Sequence, residues 1–136
     1  VIAKALAQKG VITSLALDDA CLRWAFGTLI GNTDMHSGNL ACYTDKAQPF
    51  SLAPVYDMTP MGFAPTAPGE LPEFRLSLDI IDVVNPSTWA RALSLAQDYV
   101  MRLRTSSLLS RDFAPCVDKL QTHIDQAAER LQRLAP

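Results

Sequence analysis

The sequence changes from an apolar helical pattern to a polar loop within residues 29–39, LIGNTDMHSGN. Before this stretch, apolar pairs recur at helical spacing, namely Cys21-Leu22, Ala25-Phe26 and Leu29-Ile30, and they predict a helix with a wide apolar face inside residues 12–30. Asp18 and Asp19 suit the start of this helix, because acidic groups favour its partly positive N-terminal end. Gly31-Asn32 is the expected end of the helix.

A small β-hairpin is predicted directly after the polar loop. Leu40–Tyr43 and Phe50–Tyr56 have strand-like composition, and a polar turn over residues 44–49 joins them. Asp57 stands where the second strand ends. Residues 58–75 contain Pro60, Pro65, Pro68 and Pro72 and are predicted as an irregular loop, and a short apolar segment, Ser77–Val84, follows.

The last third of the sequence predicts two helices. Asn85-Pro86-Ser87 is a start signal with Ser87 as the expected cap, and apolar residues then recur every three or four positions at Trp89, Leu93, Ala96, Val100 and Leu103. A second helix is expected to start near Asp112 and Pro115, with an apolar stripe of Val117, Leu120, Ile124, Ala127, Leu131 and Leu134. The predicted fold class is mainly α with a small β-hairpin.

The amino-acid composition limits the classes of protein to which this chain can belong. The 136 residues are 49% hydrophobic and 19% charged, which suits one folded domain over residues 1–136 rather than a disordered chain. A formal charge of −2 does not favour direct nucleic-acid binding, and no apolar run is long enough to predict a membrane span. Cys21, Cys42 and Cys116 are scattered, which argues against a disulfide framework or structural zinc and favours reduced thiols in the cytoplasm.

Four polar residues form the candidate site: Asp34, His36 and Asn39 in the loop, and Asp57 after the hairpin. The two ends of a hairpin meet, so Asp34, Asn39 and Asp57 are expected to share one cavity. Magnesium prefers oxygen ligands, and Asn39 and Asp57 are therefore the candidate ligands for Mg²⁺ and, through it, ATP. Asp34 is the candidate proton acceptor for an incoming hydroxyl.

Each of these residues also has a simpler interpretation. An Asp or Asn in a turn commonly bonds its own backbone, and only the joint placement of the set favours a phosphotransferase site. His36, grouped with Asp34 as a candidate catalytic residue, could bond either aspartate or anchor the loop backbone. Other chemically notable residues are interpreted as core or structural residues: Cys21, Cys116, Trp24, Trp89 and His123.

Residues 29–39, followed by Leu52-Ala53-Pro54-Val55-Tyr56-Asp57, resemble the C-terminal domain of HipA-like kinases. That family consists of bacterial serine/threonine protein kinases, often the toxin of a toxin–antitoxin pair. Its D-x-H-x-x-N loop corresponds to Asp34, His36 and Asn39, and its P-x-Y-D strand end to Asp57. The resemblance, specific over residues 22–61, implies the C-terminal lobe of a kinase-like fold, ATP with Mg²⁺, and a protein substrate with a serine or threonine hydroxyl. It also implies a small DNA-binding antitoxin as a partner.

The sequence departs from that family in lacking a Gly-rich phosphate loop and an ATP-binding lysine. We therefore expect a piece of a longer protein, weak or inactive as a kinase by itself. A second hypothesis is a small-molecule phosphotransferase with an H-x-D-x-x-x-x-N loop, although position 32 is Asn32 rather than histidine. A third is a non-catalytic helical interaction module. A fourth hypothesis is metal-dependent hydrolysis, but a site of that kind would need more histidines than His36 and His123.

Overall fold

Helices form most of the described chain. The structure is a computed structural model that describes residues 2–45, 47–63 and 84–134. Its α-helices are α1 (Ile2–Gln8), α2 (Ser14–Leu29), α3 (Pro86–Thr105) and α4 (Ala114–Leu134), and short 3-10 helices span Ser37–Asn39, Met61–Phe63 and Arg111–Phe113. The prediction of a mainly helical chain is confirmed.

The core lies where α2, α3 and α4 pack together, and we call these three helices the helical frame. α2 packs chiefly on α3, and α3 packs on α4. Trp24 and Trp89 meet edge to face across the α2–α3 contact, with ring centroids 5.8 Å apart. Buried side chains from the three helices and from the C-cap of α2 include Ala25, Leu29, Ile30, Trp89, Ala92, Ala96, Val100, Cys116, Val117, Leu120, Ile124 and Ala127.

α2 begins earlier than the predicted start at Asp18. Thr13 is the N-cap, and its Oγ1 accepts a hydrogen bond of 3.0 Å from the Ala16 amide. A threonine hydroxyl satisfies an amide that the first helical turn leaves without a partner, so capping rather than acidic charge sets this boundary. The prediction that the helix ends at Gly31-Asn32 is confirmed, since α2 ends at Leu29 with Ile30 as its C-cap.

The cap of α3 is Asn85, so the prediction of Ser87 is wrong by two positions. Asn85 Oδ1 accepts hydrogen bonds from the Thr88 amide at 2.8 Å and from Ser87 Oγ at 2.7 Å. Pro86 fits the first helical position because its missing N–H would have no helical partner there. Of the predicted α3 stripe, Trp89, Ala96 and Val100 are buried and Leu93 and Leu103 pack half-buried against the core.

α4 follows the predicted pattern closely. Val117, Leu120, Ile124 and Ala127 are buried, and Leu131 packs against them. The Leu134 side chain lies outside the described ones. Cys116 is a buried free thiol, as expected of a core residue, and Cys21 and Cys42 are free and half-buried.

The predicted hairpin is reduced to isolated bridges, so the expectation of two strands is wrong in extent. Cys42 and Leu52 form one antiparallel bridge, with the Ala53 amide donating to the Ala41 carbonyl at 2.8 Å. Phe50 instead pairs in parallel with Ile12. Pro49 and Pro54 lack amide donors on either side of this segment, so a longer ladder cannot form there.

Part of the predicted Pro-rich loop and most of the apolar segment 77–84 lie in residues 64–83, outside the described residues. Where the loop begins, Phe63 is buried and the Gly62 amide donates to the Gly31 carbonyl at 2.8 Å. This bond holds the chain after Asp57 against the end of α2. In the described part of the chain, no helix has the length and apolarity needed to cross a membrane.

Candidate functional site

The C-terminal end of α2 sets the path of the polar loop. The Asn32 amide donates to the Gly27 carbonyl at 2.8 Å and the Gly31 amide to the Thr28 carbonyl at 3.3 Å, a Schellman arrangement. Gly31 has a φ of 72°, a left-handed conformation that glycine adopts without a steric penalty. The helix therefore stops at a defined residue, and Asn32 leaves it in a fixed direction.

The Asn32 side chain connects the two segments that carry the candidate site residues. It is buried, its Oδ1 accepts a 3.0 Å hydrogen bond from the Asp34 amide, and its Nδ2 donates to the Asp57 carbonyl at 3.3 Å. We call residues 32–39 and 53–58 the paired loops. One carboxamide thus holds the main chain of both candidate aspartates.

Asn39 and Asp57, the predicted magnesium ligands, are in direct contact. Asn39 Nδ2 donates to Asp57 Oδ2 at 3.1 Å, and Asn39 Oδ1 accepts from the His36 amide at 3.0 Å. Asp57 has a φ of 55°, in the left-handed region that few non-glycine residues adopt. Such conformations concentrate at functional sites, where the surrounding structure holds them.

His36 bonds the loop backbone, one of the three possibilities that its sequence position left open. Its Nδ1 accepts a hydrogen bond of 3.0 Å from the Gly38 amide, and it caps the 3-10 helix Ser37–Asn39. A Cβ atom on Gly38 would lie 2.8 Å from the His36 ring, so glycine here allows the ring to approach. His36 therefore shapes the turn that presents Asn39.

The Asp34 carboxylate is exposed, and no hydrogen bond reaches it from the described residues. Its backbone is held by Asn32 while its side chain stays accessible. An accessible carboxylate on a fixed main chain suits a group that accepts a proton from a bound hydroxyl.

Two contacts that the sequence interpretation missed also fix the paired loops. The Tyr56 hydroxyl donates to the Gly38 carbonyl, and Arg23 on α2 donates from Nη2 to the Ala53 carbonyl at 2.8 Å and to Asp19 Oδ2 at 2.6 Å. The Arg23 Nη1 atom is buried without a hydrogen-bond partner in the described residues. An arginine within an otherwise apolar helical pattern is the signal that could have indicated such an anchor.

A gap in the surface of α2 at Gly27 receives a methionine from each of the paired loops. A Cβ atom on Gly27 would overlap Met35 Sδ and lie 3.2 Å from Met58 Sδ. Met35 follows Asp34, and Met58 follows Asp57. The absence of a side chain at Gly27 therefore lets both loops pack onto the helix at one place.

An open cleft of about 320 Å³ adjoins the paired loops. One wall comes from α2, including Cys21 and Trp24, and another from the loop, including His36 and Asn39. Burial raises the pKa of the Cys21 thiol, and the nearby Asp18 carboxylate raises it further. The thiol therefore stays protonated near neutral pH, which agrees with a packing residue rather than a nucleophile.

His123 on α4 bonds the same end of α2. Its Nε2 lies 3.1 Å from the Thr28 carbonyl oxygen, which accepts the hydrogen bond, and the ring is buried. Burial lowers the pKa of His123, and the bond to Thr28 opposes that shift only in part. The interpretation of His123 as a structural residue agrees with this contact.

The donor atoms of the paired loops suit a hard cation. In residues 2–45, 47–63 and 84–134, no three His, Cys, Asp or Glu side chains are grouped in a way that could hold a metal ion. Magnesium, however, is commonly held by one or two carboxylates together with phosphates and water. The Asp57 carboxylate is an oxygen donor of this kind, whereas Asn39 presents its Nδ2 to Asp57 and its Oδ1 to the His36 amide, so its carboxamide would have to turn for both oxygens to face one ion.

Comparison with known proteins places the whole chain in context. A family model described as HipA-like C-terminal domain matches residues 2–133. The chain is 33% identical over 129 residues to the Escherichia coli (strain K12) protein named Toxin YjjJ, covering 95% of this chain and 29% of that protein. The chain thus spans less than a third of that relative's length. No solved structure matches it significantly.

Proposed function

This chain belongs to the family of HipA-like C-terminal domains, and on that premise we propose that it is the catalytic lobe of a serine/threonine protein kinase that acts as a toxin. One observation carries the proposal: Asn39 Nδ2 lies 3.1 Å from Asp57 Oδ2 while Asn32 joins the main chains of residues 34 and 57. Residues far apart in sequence thereby meet at one surface. The toxin assignment is supported by the name of the Escherichia coli relative.

Asn39 and Asp57 are the proposed ligands of a magnesium ion. Asp57 Oδ2 faces the Asn39 carboxamide, and the His36 amide orients that carboxamide through Oδ1. The bound ion would neutralise charge on the phosphates of ATP. His36 acts in this proposal as a positioning residue, because its Nδ1 is engaged by the Gly38 amide.

Asp34 is the proposed proton acceptor. The serine or threonine oxygen of a protein substrate forms a bond to the γ-phosphorus as the bond to the β–γ bridging oxygen breaks and ADP leaves. The hydroxyl proton passes to the Asp34 carboxylate. Positioning and charge stabilisation supply most of the rate enhancement in such transfers. Asp34 suits this role because Asn32 holds its main chain while its carboxylate stays accessible to the substrate.

The substrate class and the partner rest on the family resemblance. We propose a protein hydroxyl as the phosphate acceptor and a small DNA-binding antitoxin as the partner, with the cytoplasm as the compartment. The kinase-like lobe fold is part of the same proposal. Because the chain covers 29% of the relative's length, these statements concern the full-length protein rather than the lobe alone.

The test compares Asp34→Asn, Asp57→Asn and Asp45→Asn in the full-length protein. Asp45 is an exposed aspartate in the turn between the paired loops, so its replacement controls for charge loss alone. Asp34→Asn should lower kcat by about 10²–10⁴-fold while nucleotide binding is kept. Asp57→Asn should raise the Mg²⁺ concentration needed for binding and activity, and Asp45→Asn should match the wild type.

Phosphate transfer from labelled ATP is measured with protein acceptors and with small alcohols side by side. Label on small alcohols and not on protein would favour the small-molecule phosphotransferase. Full activity of Asp34→Asn, or unchanged Mg²⁺ dependence of Asp57→Asn, would contradict the roles proposed here.

A further inference from the structure

Asn32 contacts both candidate aspartates through their main chains without being a candidate ligand or base itself. We propose that Asn32 is a positioning residue whose single carboxamide sets the distance between Asp34 and Asp57. This inference rests on the proposed function for its catalytic meaning, although the geometry it describes exists without nucleotide or metal.

The position of the Asn32 carboxamide is fixed by its own backbone. The Schellman bonds at the end of α2 engage the Asn32 amide, and Gly31 supplies the left-handed turn before it. The residue is only 6% exposed, so packing restricts its rotamer as well. The end of α2 therefore fixes the position of the Asn32 side chain, although Asn32 lies at the start of the loop.

The oxygen and the nitrogen of the Asn32 carboxamide each form a hydrogen bond to a different one of the paired loops. The oxygen accepts from the Asp34 amide at 3.0 Å, and the nitrogen donates to the Asp57 carbonyl at 3.3 Å and contacts Met58 Sδ at 3.6 Å. Because these bonds go to main-chain atoms of the two aspartates, Asn32 engages neither carboxylate, and Asp57 Oδ2 accepts from Asn39 instead. They also hold Asp57, whose φ of 55° needs support from its surroundings.

The residue type follows from this double task. A side chain here must offer one acceptor and one donor in a short planar group, which is what the asparagine carboxamide provides. A leucine of similar size would provide neither and would leave the Asp34 amide and the Asp57 carbonyl without this partner. Removing Asn32 should therefore loosen both aspartates together rather than either one alone.

The experiment compares Asn32→Leu with Thr28→Val in the full-length protein. Thr28 is a matched control, since it is also buried at the end of α2 and its Oγ1 donates only within the helix, to the Trp24 carbonyl at 3.0 Å. Three measurements are made: hydrogen exchange of the residue 34 amide without metal or nucleotide, Mn²⁺ binding by paramagnetic resonance, and kcat and KM of phosphoryl transfer.

Asn32→Leu should speed exchange of the residue 34 amide at least about tenfold, weaken Mn²⁺ binding about tenfold and lower kcat more than it changes KM for the acceptor. Thr28→Val should leave all three near the wild type at a comparable loss of thermal stability. If Asn32→Leu does not fold, Asn32→Ala removes the same two bonds with a smaller side chain and decides by the same criteria.

Wild-type exchange and Mn²⁺ affinity in the Asn32 variant would overturn the inference, as would equal changes in Thr28→Val. A wild-type protein that transfers no phosphate to any acceptor would contradict the proposed function instead. In that case the exchange and Mn²⁺ measurements would still show whether Asn32 sets the geometry of the two aspartates.

Discussion

The helical frame and the paired loops are held together by different forces. Leu29, Val100 and Ile124 in the frame are fully buried, and apolar burial stabilises their packing. The paired loops expose Asp34, His36 and Asp57 and are held by a few hydrogen bonds from Asn32, Asn39 and their neighbours. Stability and candidate chemistry are therefore located in separate parts of the molecule.

The two regions meet at the C-terminal end of α2. Gly27 accommodates methionines from both loops, the Thr28 carbonyl accepts from His123 on α4, and the Gly31 carbonyl accepts from Gly62. Substitutions within either region should affect mainly that region, whereas substitutions that remove these shared contacts should affect both.

The largest effect on stability is expected in the frame. Ile124→Ala should lower the free energy of unfolding by about 2–5 kcal/mol, because it removes fully buried methyl and methylene groups and leaves a cavity. Leu108→Ala, at a side chain that is 93% exposed, should change it by less than about 0.5 kcal/mol. Denaturant titration of both variants measures the difference. Equal losses in the free energy of unfolding would contradict the expectation that buried residues of the frame contribute more to stability than exposed residues.

An intermediate effect is expected where the regions meet. Gly27→Ala should cost about 1–3 kcal/mol through the collision with Met35, offset by up to about 1 kcal/mol of helix propensity. Adding Met35→Ala should recover part of the loss, because it removes the colliding sulfur. A double-mutant cycle from unfolding curves tests this, and strictly additive losses would show that the loop does not pack into the Gly27 gap.

The smallest effect concerns pH. Burial lowers the pKa of His123 below its ordinary value of 6.5, so the unfolded chain binds this proton at a higher pH than the folded one. The contribution of neutral His123 to stability is complete above about pH 6.5 and is lost as the pH falls toward the folded pKa. Each pH unit that separates the unfolded pKa from the folded pKa corresponds to about 1.4 kcal/mol.

His123→Gln keeps a donor for the Thr28 carbonyl but does not titrate, so it isolates this contribution. Unfolding free energies of the wild type and of His123→Gln should diverge as the pH falls below about 6.5, with the wild type losing more. Parallel pH profiles would mean that His123 is not buried in its neutral form at the end of α2.

Local signals explain which features the sequence predicted well. Residues three and four apart share one face of a helix, so Val117, Leu120 and Ile124 indicated α4 and its buried side. Gly31 indicated the end of α2, because few other residues adopt its left-handed conformation. Caps were harder to predict, since Asn85 and Ser87 are both suitable residues and only the backbone geometry selects Asn85.

The amino-acid sequence by itself determined the helical class, the apolar faces and the identity of the candidate ligands, because each depends on residue type and short-range spacing. Only the tertiary structure decided that Asn32 joins two loops, that Gly27 receives two methionines and that the expected hairpin is reduced to isolated bridges in the described residues. The first two features include contacts between residues 25 or more positions apart, namely Asn32 with Asp57 and Gly27 with Met58. Such contacts form only when burial of the helical frame offsets the entropy of closing the chain between them.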